Sequence, residues 1–363
     1  MKFLTNLGLY LHIPFCKRKC AYCDFYSAVF TDELIDRYVD SLKTHIKKWG
    51  GKSSRPINSI YLGGGTPSLL NHRIIPLLDT VRESFNVTEN AEITLEVNPQ
   101  NNIAEILENA KKAGVNRLSI GAQSGNDSFL KKLGRTHTAS DTENAVKTAK
   151  KLGFSNISLD LMIGLPDSDL ETLKSDLDFL IGLEPQHISC YILKIEEKTA
   201  FHKQENSLNL PDEDGVSDQY LFMCEYLESH GFSHYEISNF CKNGYESRHN
   251  LKYWKCEEYL GIGPAAHSFL DGKRFYYPKD LKGFTNGNEP VFDSFGGDQK
   301  EKIMLTLRLK YGINTALLPK KAAEKCNLFA NSNLATLNNG IFSLTNEGML
   351  VSNSILTEIL EDF

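Results

Sequence analysis

Ile57-Asn-Ser-Ile-Tyr-Leu62-Gly63-Gly64-Gly65-Thr66-Pro67-Ser68 is the stretch from which the fold can be read. A short β-type run breaks into three glycines, and a helical pattern from Ile74 to Phe85 follows, giving one strand–turn–helix unit. The same alternation extends outward on both sides. Upstream, Leu9-Tyr10-Leu11-His12-Ile13 reads as a strand, and Asp32 to Trp49 as a helix capped by Thr31 or Asp32. Downstream, strands are expected at Glu92 to Val97, Arg117 to Ile120, Ile157 to Leu161 and His187 to Leu193. Helices are expected from Ile103 to Ala113, between Ser128 and Leu152, and from about Asp169 to Ile181. Repeated β-then-α units imply a parallel sheet with right-handed crossovers. Six such units followed by a change of pattern fit an α/β fold built as an incomplete, TIM-like (β/α)6 barrel. In barrels of this kind the chemistry sits just after the strands.

The change of pattern comes after Pro211. Asp212 to His230 reads as a helix, and an aromatic-rich, irregular stretch runs from His234 to about Asp293. From Lys300 to Phe363 the sequence looks like a small, mainly helical domain. Within it, Leu334 to Thr345 has the Asn338-Asn339-Gly340 signature of a wing hairpin, so a winged-helix-like unit is expected. These shifts divide the chain into 1–211, 212–296 and 297–363, with a soft boundary near Gly296-Gly297. No internal repeat or low-complexity tract is visible.

The chain has 363 residues, 41% of them hydrophobic and 24% charged, which is ordinary for a globular protein. A net charge of −6 carries no electrostatic footprint for nucleic acid. Residues 1–14 do not read as a signal peptide, and no apolar run approaches the roughly 18 to 20 residues that a spanning helix needs. A cytoplasmic protein is therefore expected, and its eight cysteines argue against a disulfide framework. Cys190, Cys224, Cys241, Cys256 and Cys326 are scattered, whereas Cys16, Cys20 and Cys23 are clustered, which suggests a metal.

Cys16-Lys-Arg-Lys-Cys20-Ala-Tyr-Cys23 has the spacing C-x3-C-x2-C. Positions i, i+4 and i+7 can simply mark the apolar face of a helix, but the residues between are basic and aromatic and Pro14 precedes the run. Four-iron, four-sulfur clusters are normally held by four thiolates. Three ligands leave one iron open, and that iron can chelate S-adenosylmethionine (SAM) and pass an electron into its sulfonium.

Tyr10-x-His12-x-Pro14-x-Cys16 resembles the opening of the oxygen-independent coproporphyrinogen III oxidase family of radical SAM proteins. The resemblance continues in order through the Gly63–Ser68 run, Glu96-Val-Asn-Pro99, Gly121-Ala-Gln123-Ser, Asp160-Leu-Met-Ile-Gly164-Leu-Pro166 and Gly261-Ile-Gly263-Pro264-Ala265-Ala266-His267, covering nearly the whole chain. It implies a barrel of radical SAM type, with Cys16, Cys20 and Cys23 on the cluster. It also implies SAM contacts at Tyr10, Tyr22, Gly64, Gly65, Thr66 and Glu96, the last at the ribose hydroxyls. Gln123, Arg135 and Asp160 fall where family members bind a second SAM; a structural ion pair or strand-end cap is an equal reading for Arg135 and Asp160.

Two features set the chain apart from the oxidases. They carry a further cysteine two residues past the third and a longer N-terminal segment, whereas here Cys23 is followed by Asp24-Phe25-Tyr26. In addition, His249-Asn250-Leu-Lys-Tyr253-Trp254 matches the H-N-x-x-Y-W motif of the HemW subfamily, which is similar in the rest of its sequence and is proposed to carry haem. Chemically the motif combines an imidazole able to ligate iron with aromatics able to pack on a porphyrin. The alternative is a His-Asn turn with Tyr253 and Trp254 in the core. His12, His234 and His267 are other candidate ligands, each more often structural, and Cys241 and Cys256 flank the motif. The resemblance thus implies a haem chaperone with a cluster, SAM and haem, not a conventional turnover enzyme. No catalytic residue is assigned. His249 is expected to hold haem iron near the barrel mouth. Flavodoxin or ferredoxin would donate electrons, and an acceptor such as a respiratory haem protein would take the haem, with peripheral membrane contact allowed. The competing reading is SAM-dependent oxidative decarboxylation of coproporphyrinogen III propionates. A radical SAM methyltransferase has no supporting feature.

Overall fold

A computed structural model describes residues 6–100 and 102–363; the reading of residues 1–5 lies outside them. The expected alternation is present as β1 (Leu7–Ile13), α1 (Asp32–Gly50), β2 (Ile57–Gly64), α2 (Ile74–Ser84), β3 (Val87–Val97), α3 (Ile103–Lys112), β4 (Arg117–Gln123), α4 (Asp127–Lys132), α5 (Ala139–Lys151), β5 (Ile157–Ile163), α6 (Leu170–Gly182) and β6 (His187–Ile192). Thr31 is the cap of α1, its side chain accepting from the Leu34 N–H at 3.2 Å.

Strands β1 to β6 pair in sequence order and in parallel. Successive side chains on a strand point to opposite faces. In β1 this sends Leu7, Leu9, Leu11 and Ile13, all fully buried, into the main apolar core with the helices. Gly8, Tyr10 and His12 face the lumen. The same parity puts Ser59 and Tyr61 of β2, Glu92, Thr94 and Glu96 of β3, and Arg117 and Ser119 of β4 inside. The apolar half of each strand holds the sheet to the helices, and the polar half lines the lumen.

Residues 234–293 are not irregular as expected. After α7 (Ala200–Lys203) and α8 (Glu213–Ser229), the chain forms β7 (Ser233–Glu236), β8 (Asn239–Cys241), α9 (Arg248–Trp254), β9 (Tyr259–Ile262), β10 (His267–Leu270), β11 (Lys273–Tyr276), α10 (Leu281–Thr285) and β12 (Val291–Phe295). These runs of three to five residues are too short to show a period. They become strands by pairing with edges that already exist. β8 and β7 extend β6 antiparallel, while β9 joins β1 in parallel and carries β10, β11 and β12. The result is an open 12-stranded sheet, ordered β12-β11-β10-β9-β1-β2-β3-β4-β5-β6-β8-β7, so the barrel is left incomplete.

The last segment contains α11 (Gln299–Thr306), β13 (Ile313–Asn314), α12 (Lys320–Asn331), β14 (Ala335–Asn338), β15 (Ile341–Leu344), α13 (Asn346–Leu350) and α14 (Ser352–Leu360). The hairpin between β14 and β15 turns at Asn339 and Gly340, both with positive φ (51° and 77°), as the Asn-Gly pair requires. With β13 it makes a small three-stranded sheet beside the helices.

Candidate functional site

The three clustered cysteines lie on the loop that leaves β1. Phe15 anchors its start, edge-on to Tyr38 at 5.2 Å, and the Ala28 N–H donates to the Pro14 carbonyl at 2.7 Å. Its middle is fixed by Ala21, whose N–H donates to Leu133 O and whose carbonyl accepts from Phe201 N–H, both at 2.9 Å. Beneath it a satellite core of Phe129, Leu133, Met162, Leu165 and Phe201 packs on Ala21 and Tyr22. The loop therefore rests on its own apolar bed.

Cys16, Cys20 and Cys23 are free thiols at the rim of one cleft of about 390 Å³. The Thr66 hydroxyl donates to Cys16 Sγ at 3.6 Å, and Arg135 Nη1 donates to Cys20 Sγ at 3.7 Å; burial raises the Cys16 thiol, and the Thr66 hydroxyl opposes that rise. Among the described residues no three His, Cys, Asp or Glu side chains converge as a single-ion site would need. In a cluster each thiolate would bind its own iron.

The same cleft is lined by Tyr22, Gly64, Gly65, Thr66, Glu96, Gln123, Arg135 and Asp160. Glu96 Oε2 accepts from the Gly64 N–H and Oε1 from Tyr61 Oη, both at 3.0 Å. Loss of water, with Asp160 close by, pushes the Glu96 carboxyl up to about 7. Burial likewise raises Asp160 to about 6, opposed by the Ser119 hydroxyl that donates to it at 3.1 Å. Arg135 Nη2 donates to Asn98 Oδ1 and Gly121 O at 2.8 Å, so it joins three walls of the cleft. Its Nε has no partner. Gln123 holds positive φ (68°), a conformation a non-glycine residue keeps only under surrounding constraint. The glycine run is sterically required: at Gly64 (φ 116°) a Cβ would lie 2.6 Å from the His12 ring, and at Gly65 2.6 Å from the Phe15 carbonyl.

Tyr10 does not line the cleft. It sits one layer below, its Oη 3.0 Å from His12 Nδ1 and its ring stacked on Tyr61 at 6.1 Å. Tyr61, Asn98, Ser119 and Tyr191 belong to the site but were not read from sequence. Strand parity could have found Tyr61 and Ser119, each two residues before an inward glycine.

The expectation that His249 lies near the barrel mouth is corrected. α9 closes the opposite end of the lumen, the floor, against the starts of β1, β2 and β3. His249 is 0% exposed. Its Nδ1 is 3.0 Å from Ser59 Oγ and its Nε2 is 2.8 Å from Tyr253 Oη, while its N–H donates to Glu92 Oε1 at 3.0 Å. Both ring nitrogens are thus engaged, and burial lowers the imidazole to about 3. Ser247 caps the helix at Asn250 N–H, and the half-buried Trp254 stands under the Arg308 guanidinium at 6.0 Å, its carbonyl accepting from Thr306 Oγ1 at 3.3 Å. Tyr253 and Trp254 therefore pack inside the protein.

Among the other candidates, His12 bonds Tyr10, and His234 stacks on Phe240 at 4.3 Å with Nδ1 3.1 Å from Asn346. His267 stacks on Tyr276 at 5.3 Å. Cys241 and Cys256 are buried free thiols.

Residues 10–180, from β1 through most of α6, match the radical SAM superfamily. Such a domain implies a four-iron cluster and SAM, and the three thiols with their donors suit that cluster. Across 97% of both chains the sequence is 34% identical to the heme chaperone HemW of Lactococcus lactis subsp. lactis. It is 39% identical to that of Bacillus subtilis, over 73% of this chain and 71% of the other. Coproporphyrinogen III oxidase (HemN) of Escherichia coli shares the fold, with a TM-score of 0.83 at 21% identity over 98% of this chain and 90% of that one. Likeness at that level and along nearly the full length shows that the chain belongs to the HemW family of the radical SAM superfamily.

Proposed function

We propose that this protein is a haem chaperone that keeps a radical SAM centre and passes haem to an acceptor protein. The observation carrying this reading is kinship along 97% of the chain with a curated heme chaperone. The sequence at Cys23-Asp24-Phe25, without the further cysteine of the oxidases, agrees with it. Cys16, Cys20 and Cys23 would hold the cluster, and Gly64, Gly65, Thr66, Glu96 and Tyr22 would seat SAM. Gln123, Arg135 and Asp160 would close the far wall. When bound, the cluster and SAM would supply one-electron reductive chemistry at the sulfonium. The chain's own part is to engage the Gly64 N–H with Glu96, to hold Cys20 through Arg135, and to keep the lower lumen dry.

Haem is the cargo. Ligation of its iron by His249 would require α9 to leave the floor, exchanging the Ser59 and Tyr253 hydrogen bonds for an iron bond. Asn250, Tyr253 and Trp254 would then flank the porphyrin. A flavodoxin or ferredoxin would reduce the cluster, and the acceptor would be a haem protein met in the cytoplasm or at a membrane surface. No helix among the described residues is long and apolar enough to cross a membrane.

The test is anaerobic haem titration of cluster-loaded protein, with His249→Ala alongside. Saturation near one haem per chain supports a chaperone, and weakening in the variant assigns His249. Absence of saturable binding, with vinyl products formed from coproporphyrinogen III, would replace the reading with an oxidase.

A further inference from the structure

Between the cleft and the floor, Arg117 projects from β4 into the lumen. It is 1% exposed, and its guanidinium forms no hydrogen bond or ion pair with any described residue; Nε is closed off from water with no acceptor. Thr94, its register partner on β3, is fully buried, and its Oγ1 is likewise without a partner. Two inward-facing donors on neighbouring strands are thus both buried without an acceptor.

The nearby carboxylates do not resolve this. Glu96 is taken by Tyr61 and Gly64, Asp160 by Ser119, and Glu92 by the N–H groups of Arg248 and His249. The charge of Arg117 acts at a distance on both ends, on Glu96 and Asp160 above and on His187 and His249 below. A guanidinium cannot shed its proton. Buried charges are paired or bind ions, and orphaned buried groups mark a water or ion. Water would satisfy the hydrogens but would leave the buried guanidinium without a counter-ion in direct contact, since Glu96 and Asp160 act on it only at a distance.

We propose that Arg117 and the Thr94 hydroxyl bind a small monovalent inorganic anion, chloride in kind, one layer beneath the cleft. Its size is limited because Thr94, Ser119, Ser158 and His187 enclose the place, each 5% exposed or less. Its route in is from above, since Ser119 both lines the cleft and stands two residues from Arg117 on the same face. The site is independent of haem and of the cluster's redox state.

The experiment compares thermal unfolding of the cluster-loaded protein in chloride and in gluconate at equal ionic strength, with crystals soaked in bromide. A midpoint that climbs with chloride and not with gluconate is expected, since a ligand of the folded state stabilises by mass action. One bromide anomalous peak within hydrogen-bond reach of the Arg117 guanidinium is expected as well. Arg117→Met should remove both, and Arg117→Lys should keep the chloride response in part. Equal midpoints in the two salts, bromide at the surface only, or an undiminished chloride response in Arg117→Met would each overturn the proposal. The salt comparison and the bromide peak need no variant, so a poorly folding Arg117→Met leaves the test intact.

Discussion

The mouth and the floor of the half-barrel are made by the two ends of the same strands, yet they handle polarity in opposite ways. At the mouth, groups are left with capacity to spare: three free thiols, an Arg135 Nε without a partner, and carboxyls at Glu96 and Asp160 lifted toward neutrality. At the floor, each imidazole is fully wired. His249 lies between Ser59 and Tyr253, and His187 lies between Ser158 (2.7 Å) and Tyr235 (2.8 Å). A satisfied buried network fixes one conformation, whereas spare capacity in a cleft is what a ligand needs. The comparison teaches that ligating residue types can be held fully hydrogen-bonded at one end of a set of strands and left open at the other.

The largest effect should separate the two ends completely. Cys16→Ala, Cys20→Ala or Cys23→Ala should abolish the cluster's visible absorbance and iron content, while the floor and the overall stability remain. A variant that keeps the absorbance would remove its cysteine from the ligand set. Next, His249→Ala should cost about 3 kcal/mol in urea unfolding, from a cavity and from hydroxyls left unpaired, with cluster content unchanged. If the absorbance fell along with stability, mouth and floor would not be separable.

The two ends should also titrate in opposite senses. The folded pKa of His249, about 3, lies below its unfolded value, so the unfolded state binds the extra proton. Its contribution is complete above the unfolded pKa near 6.5 and is lost as pH falls toward 3. Glu96, raised from 4.5 to about 7, behaves in reverse: its contribution is present below 4.5 and lost as pH rises through 7. In SAM-free protein, Glu96→Gln should therefore flatten the decline between pH 4.5 and 7 by on the order of 3 kcal/mol. His249→Gln should flatten only the acid limb. Coincident slopes in wild type and variants would refute the contrast. The smallest effect is expected from Tyr61→Phe, which frees one oxygen of Glu96: about a threefold weaker SAM affinity by calorimetry, with stability changed by less than about 1 kcal/mol.

Much of the mouth was legible because its determinants are local. The cysteine spacing, the glycine run and the residues at strand ends are sequence-adjacent to the elements that position them, and Cys16, Gly65, Glu96 and Asp160 all reach one cleft. The floor was not legible. His249 meets Ser59, 190 residues earlier, and whether its nitrogens are free depends on that distant hydroxyl. Tyr10 was displaced from the cleft for a related reason, since the layer a strand residue occupies is set by register with β2. The short strands β7 to β12 were hidden because the neighbours that stabilise them lie far away in the sequence.

Strand β1 sits between β2 and β9, and Tyr10 pairs on one side with Tyr61 and on the other with Gly261. Strand β1 is thus completed late, because its second neighbour is made only after some 250 further residues. Contacts of such sequence separation slow folding and leave a bare edge exposed meanwhile. Until β9 docks, the strand that launches the cysteine loop is hydrogen-bonded on one side only, so cluster assembly during synthesis would meet a loop whose base is still half-built.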